Sequence, residues 1–240
     1  QIAMTAMTGK GAEGNKELLA ELIVKAVEQV AGEDGIVDAS DIKIQKIRGK
    51  SVAESELIKG FVIDKEKANA EMPSYINGAR ILVVDFPLEI RNPEAETKIS
   101  VSTPEQLERF LSSEEQFLRD MTNKIVNSGA NVLLCQKGID DLAQYYLARA
   151  GILALRRVSR SDIEKIVRAV SGKVVSHLRD ISPDILGYAE IVEEVKTGED
   201  AVTYIRGCKN PKAVTLVIRG SAGHVLDEIE RAIKDGLGDV

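Results

Sequence analysis

A glycine-rich stretch near the start of the chain is the first candidate for phosphate chemistry. Lys10 lies within the sequence Gly-Lys-Gly-Ala-Glu-Gly of residues 9–14, and glycine-rich loops that carry a lysine cradle phosphates in P-loop proteins. That motif requires Ser or Thr directly after the lysine and an apolar strand before the loop. Gly11 follows Lys10 here and no apolar strand precedes it, so the pattern does not predict a P-loop.

A second glycine-rich turn lies near the other end of the chain. Residues 220–223, Gly-Ser-Ala-Gly, stand between a predicted strand and a predicted helix, and the N-terminus of a helix attracts anions. A single turn of this kind is more often a plain tight connection. It leaves an anion-binding enzyme open only as an alternative.

Metal-ligating and nucleophilic residues are few and scattered. The two cysteines and two histidines are Cys135, Cys208, His177 and His224. They form neither a Cys-x-x-Cys pair nor a four-ligand zinc motif, and no Ser-His-Asp or Cys-His set can be argued from isolated histidines. We therefore predict no metal site and interpret both cysteines as structural thiols.

Composition narrows the class of protein further. A net charge of −6 argues against nucleic acid as a partner, since phosphate binding needs a clustered basic surface. No apolar run reaches the roughly 20 residues of a membrane span and no signal segment opens the chain, so we predict a cytoplasmic protein with no membrane contact. The chain begins with Gln1 and stops at Val240 directly after an amphipathic helix, which we interpret as an excised fragment.

Two amphipathic helices at opposite ends of the sequence need elements to pack against. Apolar residues recur at helical spacing over residues 15–31 and 225–233. Apolar alternation predicts a strand at 41–47, and a continuous apolar run predicts another at 214–218. We expect the two helices to pack on each other, which places the two ends of the sequence in one small domain.

The residues between those pieces are predicted to form an inserted domain. The first piece of the small domain is placed at residues 1–59, the inserted domain at 60–213 and the second piece at 214–240. Gly60 and Gly207 lie at the two crossings, where a residue without Cβ can absorb backbone rotation, so we predict hinges there. Ordinary turn glycines are the alternative.

The inserted domain alternates predicted strands with predicted helices, which indicates an α/β fold with a mixed sheet flanked by helices. Helices are predicted at 139–150 and 161–170. The predicted strands cover residues 57–64, 80–85, 131–136, 152–158, 173–176, 188–195 and 201–206.

One further predicted helix is longer than the usual globular helix. Thr103 has the place of its N-cap, and the helix extends to about residue 127. Its apolar stripe is interrupted at Glu114 and Glu115. One interpretation is a core helix with a polar notch. In the other, its C-terminal half packs on the domain and its N-terminal half, with the polar residues 91–100 before it, projects into solvent. The apolar side chains left without an evident partner are Leu107, Phe110 and Leu111.

Four short runs carry a resemblance to a known family. They are Gln136-Lys137-Gly138-Ile139-Asp140-Asp141, Gly207-Cys208-Lys209-Asn210-Pro211-Lys212-Ala213-Val214-Thr215, Met7-Thr8-Gly9-Lys10 and Leu186-Gly187-Tyr188-Ala189-Glu190. Through these runs the chain resembles the group II chaperonins, the thermosome family, over essentially its whole length. The resemblance implies an archaeal subunit of an ATP-driven folding machine built as two stacked rings.

The resemblance also implies an identity for each part of the chain. The two-piece small domain resembles the intermediate domain, the inserted domain resembles the apical domain, and residues 91–128 resemble the helical protrusion that serves as a built-in lid. The equatorial domain of the family hydrolyses ATP and carries a Gly-Asp-Gly-Thr-Thr motif, which does not occur in this sequence. We therefore expect the chain alone to be monomeric and to bind no ATP.

Two residues match family positions that reach the nucleotide in a full-length subunit, where ATP and Mg²⁺ are expected. Asp235 corresponds to the aspartate that orients and deprotonates the attacking water, and Lys10 corresponds to the lysine that responds to the γ-phosphate. A carboxylate can take a proton from water, and an ammonium can sense a charge lost on hydrolysis. Gly236 and Gly238 follow Asp235, where the helix is expected to continue. Each glycine destabilises a helix by about 1 kcal/mol relative to alanine, which weakens the correspondence at Asp235.

The helices at 139–150 and 161–170 resemble the pair that faces the central cavity in chaperonins. The resemblance implies that unfolded polypeptide contacts the polar rim of the second helix, and it implies identical or paralogous subunits as ring partners. The rim residues are Arg160, Asp162, Lys165 and Arg168.

Two other classes of protein stay open on the residues alone. A stand-alone α/β domain would use the two-piece small domain as a hinged clamp for a small ligand, and an enzyme would use the turn at 220–223. Either should show a ligand in a small-molecule thermal-shift screen, whereas a chaperonin fragment should show only weak polypeptide binding.

Overall fold

The computed structural model describes residues 13–31, 37–48, 51–90, 103–197, 200–209 and 211–238. Within these ranges the α-helices are α1 (Lys16–Val30), α2 (Pro104–Asn127), α3 (Asp141–Arg149), α4 (Arg160–Val170) and α5 (Gly223–Gly238). The strands are β1 (Ile42–Arg48), β2 (Glu56–Ile58), β3 (Gly60–Ile63), β4 (Tyr75–Val84), β5 (Val132–Cys135), β6 (Leu153–Leu155), β7 (Val174–Val175), β8 (Gly187–Thr197), β9 (Asp200–Arg206) and β10 (Val214–Gly220). Short 3₁₀ turns lie at Glu13–Asn15, Ala39–Asp41, Val52–Glu54, Leu178–Asp180 and Pro183–Ile185.

The smaller of the two sheets joins residues from both ends of the sequence. β10 lies in its middle, parallel to β1 and antiparallel to β2. Every residue of β10 is buried, which suits a strand with a continuous apolar run. This sheet, together with α1 and α5, is called the small unit below.

Helices α1 and α5 cover one face of the small sheet and pack on each other, as the sequence predicts. The core that they share with the sheet includes Leu19, Ile23, Leu216, Ile229 and Ile233. The expected weakness at Gly236 does not end α5, which continues to Gly238. Gly236 is buried, so packing against the unit outweighs its poor helix propensity.

The larger sheet has seven strands in a mixed arrangement, in the order β3-β9-β8-β4-β5-β6, with β7 also paired to β4. β4 to β7 are joined by parallel pairings, whereas β3, β9 and β8 pair antiparallel with their neighbours. α4 covers one face of this sheet, and α2 with α3 covers the other. The predicted fold class is therefore confirmed. This sheet and its helices are called the large unit.

The strand predicted at 57–64 is two strands, because the chain changes sheets at its centre. β2 belongs to the small unit and β3 to the large one, and Gly60, the first residue of β3, has φ of +150°. A Cβ on Gly60 would overlap the carbonyl oxygen of Ile205 in β9, so this close crossing requires glycine. Both halves of the segment are apolar, and periodicity alone therefore could not place the break.

Helix α2 begins as predicted and is buried at one end only. The Thr103 hydroxyl accepts a hydrogen bond from the backbone N–H of Gln106 at 3.3 Å, which caps the helix. No residue from 103 to 117 is buried. The buried residues of this helix all lie in its C-terminal half and are Leu118, Met121, Thr122 and Ile125.

Candidate functional site

Helix α4 carries the four residues predicted to contact polypeptide, and its apolar side explains how it is held. Ser159 caps the helix by accepting a hydrogen bond from the backbone N–H of Asp162 at 3.1 Å. The apolar stripe at the i, i+3, i+4, i+7 positions is core: Ile163, Ile166 and Val170 are 0–3% exposed and face the large sheet, and the partly buried Val167 packs against the same core. The polar rim of α4 is therefore turned away from the sheet.

The rim residue Asp162 reaches across to the small unit. Its carboxylate lies 3.0 Å from Nζ of Lys43, and that ammonium also donates to the backbone carbonyl of Val62 at 2.8 Å. The same ammonium lies 4.4 Å from the centre of the Phe61 ring, a cation–π distance. The side chains of Lys43 and Asp162 are only 16% and 24% exposed, so solvent screens this pair less than an ordinary surface pair.

Burial changes the pKa of Lys43. Removal from water lowers the pKa of this ammonium, and the opposing effect of the Asp162 carboxylate does not fully compensate. The Lys43 ammonium is thus partly removed from water and is held there by Asp162, the Val62 carbonyl and the Phe61 ring. It acts as a connector between β1, β3 and α4.

The rim residue Arg168 makes a second connection to the small unit. Its guanidinium pairs with Oδ1 of Asp41, in the turn that precedes β1. Burial raises the pKa of the Asp41 carboxyl, against the opposing effect of Arg168. Among the described residues nothing donates a well-aligned hydrogen bond to this Oδ1, so the contact is an ion pair without hydrogen-bond geometry.

The remaining rim residues differ from each other in their surroundings. Lys165 lines a cleft of about 510 Å³ between α4, β1 and α5, together with Lys43 and Glu230. Arg160 has a side chain that is 80% exposed and pairs within its own helix with Glu164 at 3.0 Å. Three of the four predicted polypeptide contacts thus face the small unit, and Arg160 faces solvent.

The predicted protrusion residues lie on the uncovered half of α2. Leu107 is 47% exposed, Leu111 is 54% exposed and Phe110 is half-buried. Phe117, at the boundary with the covered half, is 48% exposed. Residues 91–102, the approach to this helix, lie outside the described part of the chain.

Three polar side chains mark the place where α2 meets α3. The Tyr146 hydroxyl donates to the Glu115 carboxylate at 2.9 Å, and the Arg119 guanidinium donates to both Glu115 at 2.8 Å and Tyr146 at 3.2 Å. These hydrogen bonds, that of Tyr146 first, lower the pKa of the Glu115 carboxyl. The interruption at Glu115 is therefore a tie to the neighbouring helix.

The two residues matched to nucleotide positions lie far apart in the sequence, and the structure describes one of them. Asp235 is exposed in the last turns of α5, and Lys10 lies outside the described residues. Helix α5 is tied to β1 by Lys46, whose Nζ lies 2.9 Å from Asp227 and 2.7 Å from Glu230. The position of Asp235 is therefore set by a helix that is fixed on the small sheet.

The predicted hinge glycines are neighbours at the crossing between the two units. Gly60 pairs with Arg206 across β3 and β9, and Gly207 follows directly with φ of +70°. A Cβ on Gly207 would lie 2.6 Å from the Glu190 side chain, so close packing also favours glycine there. The hinge role itself stays a prediction.

A buried ionic cluster near this crossing was missed from the sequence. Arg219 of β10 is 8% exposed, and its guanidinium donates to Glu56 at 3.1 Å, to the Tyr204 hydroxyl at 3.2 Å and to the Glu54 carbonyl at 3.1 Å. Arg206 of β9 bridges the same Glu56 at 3.5 Å. The sequence feature that could have indicated this cluster is Arg219 itself, a charged residue directly after the apolar run at 214–218.

Neither cysteine has the character of a reactive thiol. Burial raises the pKa of Cys135 to about 11 and that of Cys208 to about 12, and the thiolate is the reactive form. Among the described residues, no cluster of three His, Cys, Asp or Glu side chains is placed to hold a metal ion. The helices in those same ranges include none that is long and apolar enough to span a membrane.

Comparison with known proteins places the whole arrangement in one family. The family model of the TCP-1/cpn60 chaperonins matches residues 1–240. A thermosome subunit of Methanopyrus kandleri is 49% identical over 243 residues, which cover 100% of this chain and 45% of that relative. The thermosome subunit beta of Archaeoglobus fulgidus is 50% identical over 99% of this chain and 44% of its own length.

A solved structure gives the same result. The open-state monomer of a group II chaperonin from Methanococcoides burtonii superposes with a TM-score of 0.79 at 39% sequence identity. It covers 99% of this chain and 54% of that chain. The chain thus spans about half the length of the relatives it matches, and the resemblance to the group II chaperonins is confirmed.

Proposed function

Because the chain belongs to the TCP-1/cpn60 chaperonin family, we propose that it is the polypeptide-binding and lid-forming part of a group II chaperonin subunit. In this proposal the subunit is cytoplasmic, assembles with identical or paralogous subunits into a double ring, and uses ATP with Mg²⁺ to enclose and fold unfolded proteins. The observation that carries it is the uncovered half of α2, where Leu107, Leu111 and Phe117 are 47–54% exposed.

The two units support a division of labour along the chain. We assign the small unit, residues 1–59 and 214–240, to the intermediate domain, and residues 60–213 to the apical domain with its protrusion at about 91–128. The sheet order supports this, since β1, β2 and β10 form one sheet from both ends of the sequence. Gly60 and Gly207 are the proposed hinges.

Exposed apolar side chains on a projecting helix suit both proposed tasks of α2. Apolar surface of this kind marks a place where another protein binds. In an assembled ring the same side chains would pack against neighbouring lids, and in an open ring they would meet unfolded polypeptide. The polar rim of α4 would add contacts to polar segments of the substrate.

The proposed nucleotide roles require the longer subunit. Asp235 would align and deprotonate the attacking water, and Lys10 would respond to the γ-phosphate. In the longer subunit, Asp235→Ala should leave ATP binding nearly intact and slow hydrolysis by about 10²- to 10⁴-fold, the usual share of a general base. Lys10→Ala should instead alter the coupling between nucleotide and lid closure. Single-turnover hydrolysis beside equilibrium ATP binding separates the two, and hydrolysis by Asp235→Ala within a few-fold of wild type would refute its role.

Polypeptide binding can be tested on the 240-residue chain itself. The probe is reduced, carboxymethylated lactalbumin, which stays unfolded, and binding is followed by fluorescence anisotropy. We expect weak binding that Leu107→Ser with Leu111→Ser reduces at least threefold. The control is Val24→Ser, because Val24 is also apolar and 40% exposed but lies on α1 of the small unit.

Two results would count against the proposal. Absence of probe binding by the wild-type chain would remove the polypeptide-binding role. An equal loss in the Val24→Ser control would show that exposed apolar surface in general, and not helix α2, holds the probe.

A further inference from the structure

We propose that the two ion pairs between α4 and the small unit form a latch that withholds the polar rim of α4 from unfolded polypeptide. The latch is defined by Lys43 with Asp162 and by Asp41 with Arg168. It rests on the proposed function, since it regulates the polypeptide site assigned above to α4. It adds a condition that the site must meet before it binds.

The first argument is that two of the four rim side chains, Asp162 and Arg168, also form the latch. Asp162 is engaged 3.0 Å from Lys43, and Arg168 is engaged with Asp41. A carboxylate or guanidinium held in this way cannot at the same time make its best contacts to a passing polypeptide. Lys165 faces the cleft between the units, which restricts its access as well.

The second argument is that the latch partners on the small unit are placed specifically. Lys43 is held by Asp162, by the Val62 carbonyl at 2.8 Å and by the Phe61 ring. Asp41 is equally well covered, with a side chain 15% exposed against 16% for Lys43. Lys43 thus meets a carboxylate, a carbonyl and an aromatic ring at one place, so the contact is a defined docking of one unit on the other.

The third argument is that the two ion pairs join the small unit to both edges of the polar side of α4. Asp162 and Arg168 lie six residues apart, about 1.7 turns of one helix, so they stand at the two edges of its polar side with Lys165 between them. Asp41 and Lys43 lie two residues apart at the start of β1. A shift of the small unit along or away from α4 would open both pairs together, which gives the rim two states, covered and free.

The size of the effect follows from population shift. A site that is available only in a minor state binds with an affinity reduced by the fraction of that state. Partly exposed ion pairs are individually weak, so we expect opening the latch to tighten polypeptide binding by about three- to tenfold. An effect of this size is measurable by the anisotropy assay described above.

The test uses substitutions on the small unit, which leave α4 unchanged. Lys43→Met removes the charge and keeps an apolar chain against Phe61, and Asp41→Asn frees Arg168 independently. The matched control is Lys46→Met, because Lys46 is also on β1 and also ion-paired, but only to Asp227 and Glu230 within the small unit. Circular dichroism and melting temperature verify that each variant is folded, and Asp41→Asn carries the test if Lys43→Met does not fold.

The outcomes separate the latch from the proposed function. Tighter binding of carboxymethylated lactalbumin by Lys43→Met or Asp41→Asn, with Lys46→Met unchanged, supports the latch. Unchanged or weaker binding in both latch variants, with wild-type binding intact, overturns the latch and leaves the proposed function standing. An equal gain in Lys46→Met overturns the latch as well. If no variant binds the probe, the proposed function fails, and the latch fails with it.

Discussion

Helices α2 and α4 follow the same sequence pattern but are buried to different extents in the fold. Both are amphipathic and both begin with a hydroxyl residue that accepts a hydrogen bond from the N–H three residues on. The apolar residues Ile163, Ile166 and Val170 of α4 are buried along its whole length. In α2 burial begins only at Leu118, and Leu107 and Leu111 remain about half exposed.

The difference shows that an amphipathic stripe predicts a partner but not where that partner is. For α4 the partner is the large sheet of the same chain, and its polar side meets the small unit. For the first half of α2 the described residues provide no cover. A helix end without packing is held by its own hydrogen bonds, which are marginal in water for so few turns. The binding role proposed for the first half of α2 follows from this difference.

The largest expected contrast is in the free energy of local opening, measured by amide hydrogen exchange. Residues 163–170 of α4 should exchange only in global unfolding, which for a stable domain costs about 5–15 kcal/mol. Residues 104–114 of α2 should open at a cost near zero, because no side chain there is buried. The expected difference is several kcal/mol, and mass spectrometry of proteolytic peptides resolves it.

The internal reference for that experiment is residues 118–127 of the same helix. These should exchange slowly, with a boundary near the tie between Glu115, Arg119 and Tyr146. Uniform protection along all of α2 would contradict the picture of a half-covered helix.

The next contrast compares the same substitution at two places in α2. Leu118→Ala removes a fully buried side chain and should lower the free energy of unfolding by about 2–5 kcal/mol. Leu111→Ala removes a side chain that is 54% exposed and should change it by less than about 0.5 kcal/mol. Urea unfolding gives both values.

Ile166→Ala in α4 serves as the control for a covered helix. Its side chain is 0% exposed, so its cost should fall in the same range as that of Leu118→Ala. A cost for Leu111→Ala comparable to the other two would mean that the first half of α2 is packed in solution.

Features that depend on a local residue pattern could be predicted from the sequence, whereas features that depend on contacts between distant segments could not. The stripe of α4, the N-cap at Thr103 and the strand β10 follow from local patterns and are confirmed. A crossing between domains was predicted at Gly60, but the strand predicted at 57–64 was not divided there, because both flanks of this glycine are apolar. The role of Lys43 was also missed, because a lysine between Ile42 and Ile44 in a half-buried strand indicates a solvent-facing position.

The contacts between α4 and the small unit were even less predictable from the sequence. The resemblance assigned Asp162 and Arg168 to the polar rim of α4, but no local pattern shows that the small unit lies against that rim. Lys43 and Asp162 are separated by 119 positions in the sequence. Contacts at such separations depend on how two units dock, and a single sequence carries little information on that docking. The roles of Asp235 and Lys10 stay predictions, because they concern a nucleotide bound outside these residues.

The smallest expected contrast concerns the two helix caps. Ser159→Ala in α4 and Thr103→Ala in α2 each remove an oxygen that satisfies one free backbone N–H. At α4 the cap secures a helix whose first turn is followed directly by the buried Ile163, so its loss should lower the free energy of unfolding by about 1 kcal/mol. At α2 the first turns can fray without exposing any buried side chain, so the global loss should stay below about 0.5 kcal/mol. Thr103→Ala should instead accelerate exchange in residues 104–110 alone.

Conservative variants, Ser159→Thr and Thr103→Ser, keep the acceptor and should restore both properties. Equal global costs at the two caps would show that the start of α2 unfolds together with the rest of the chain, and that its exposed leucines lie on a firmly held surface.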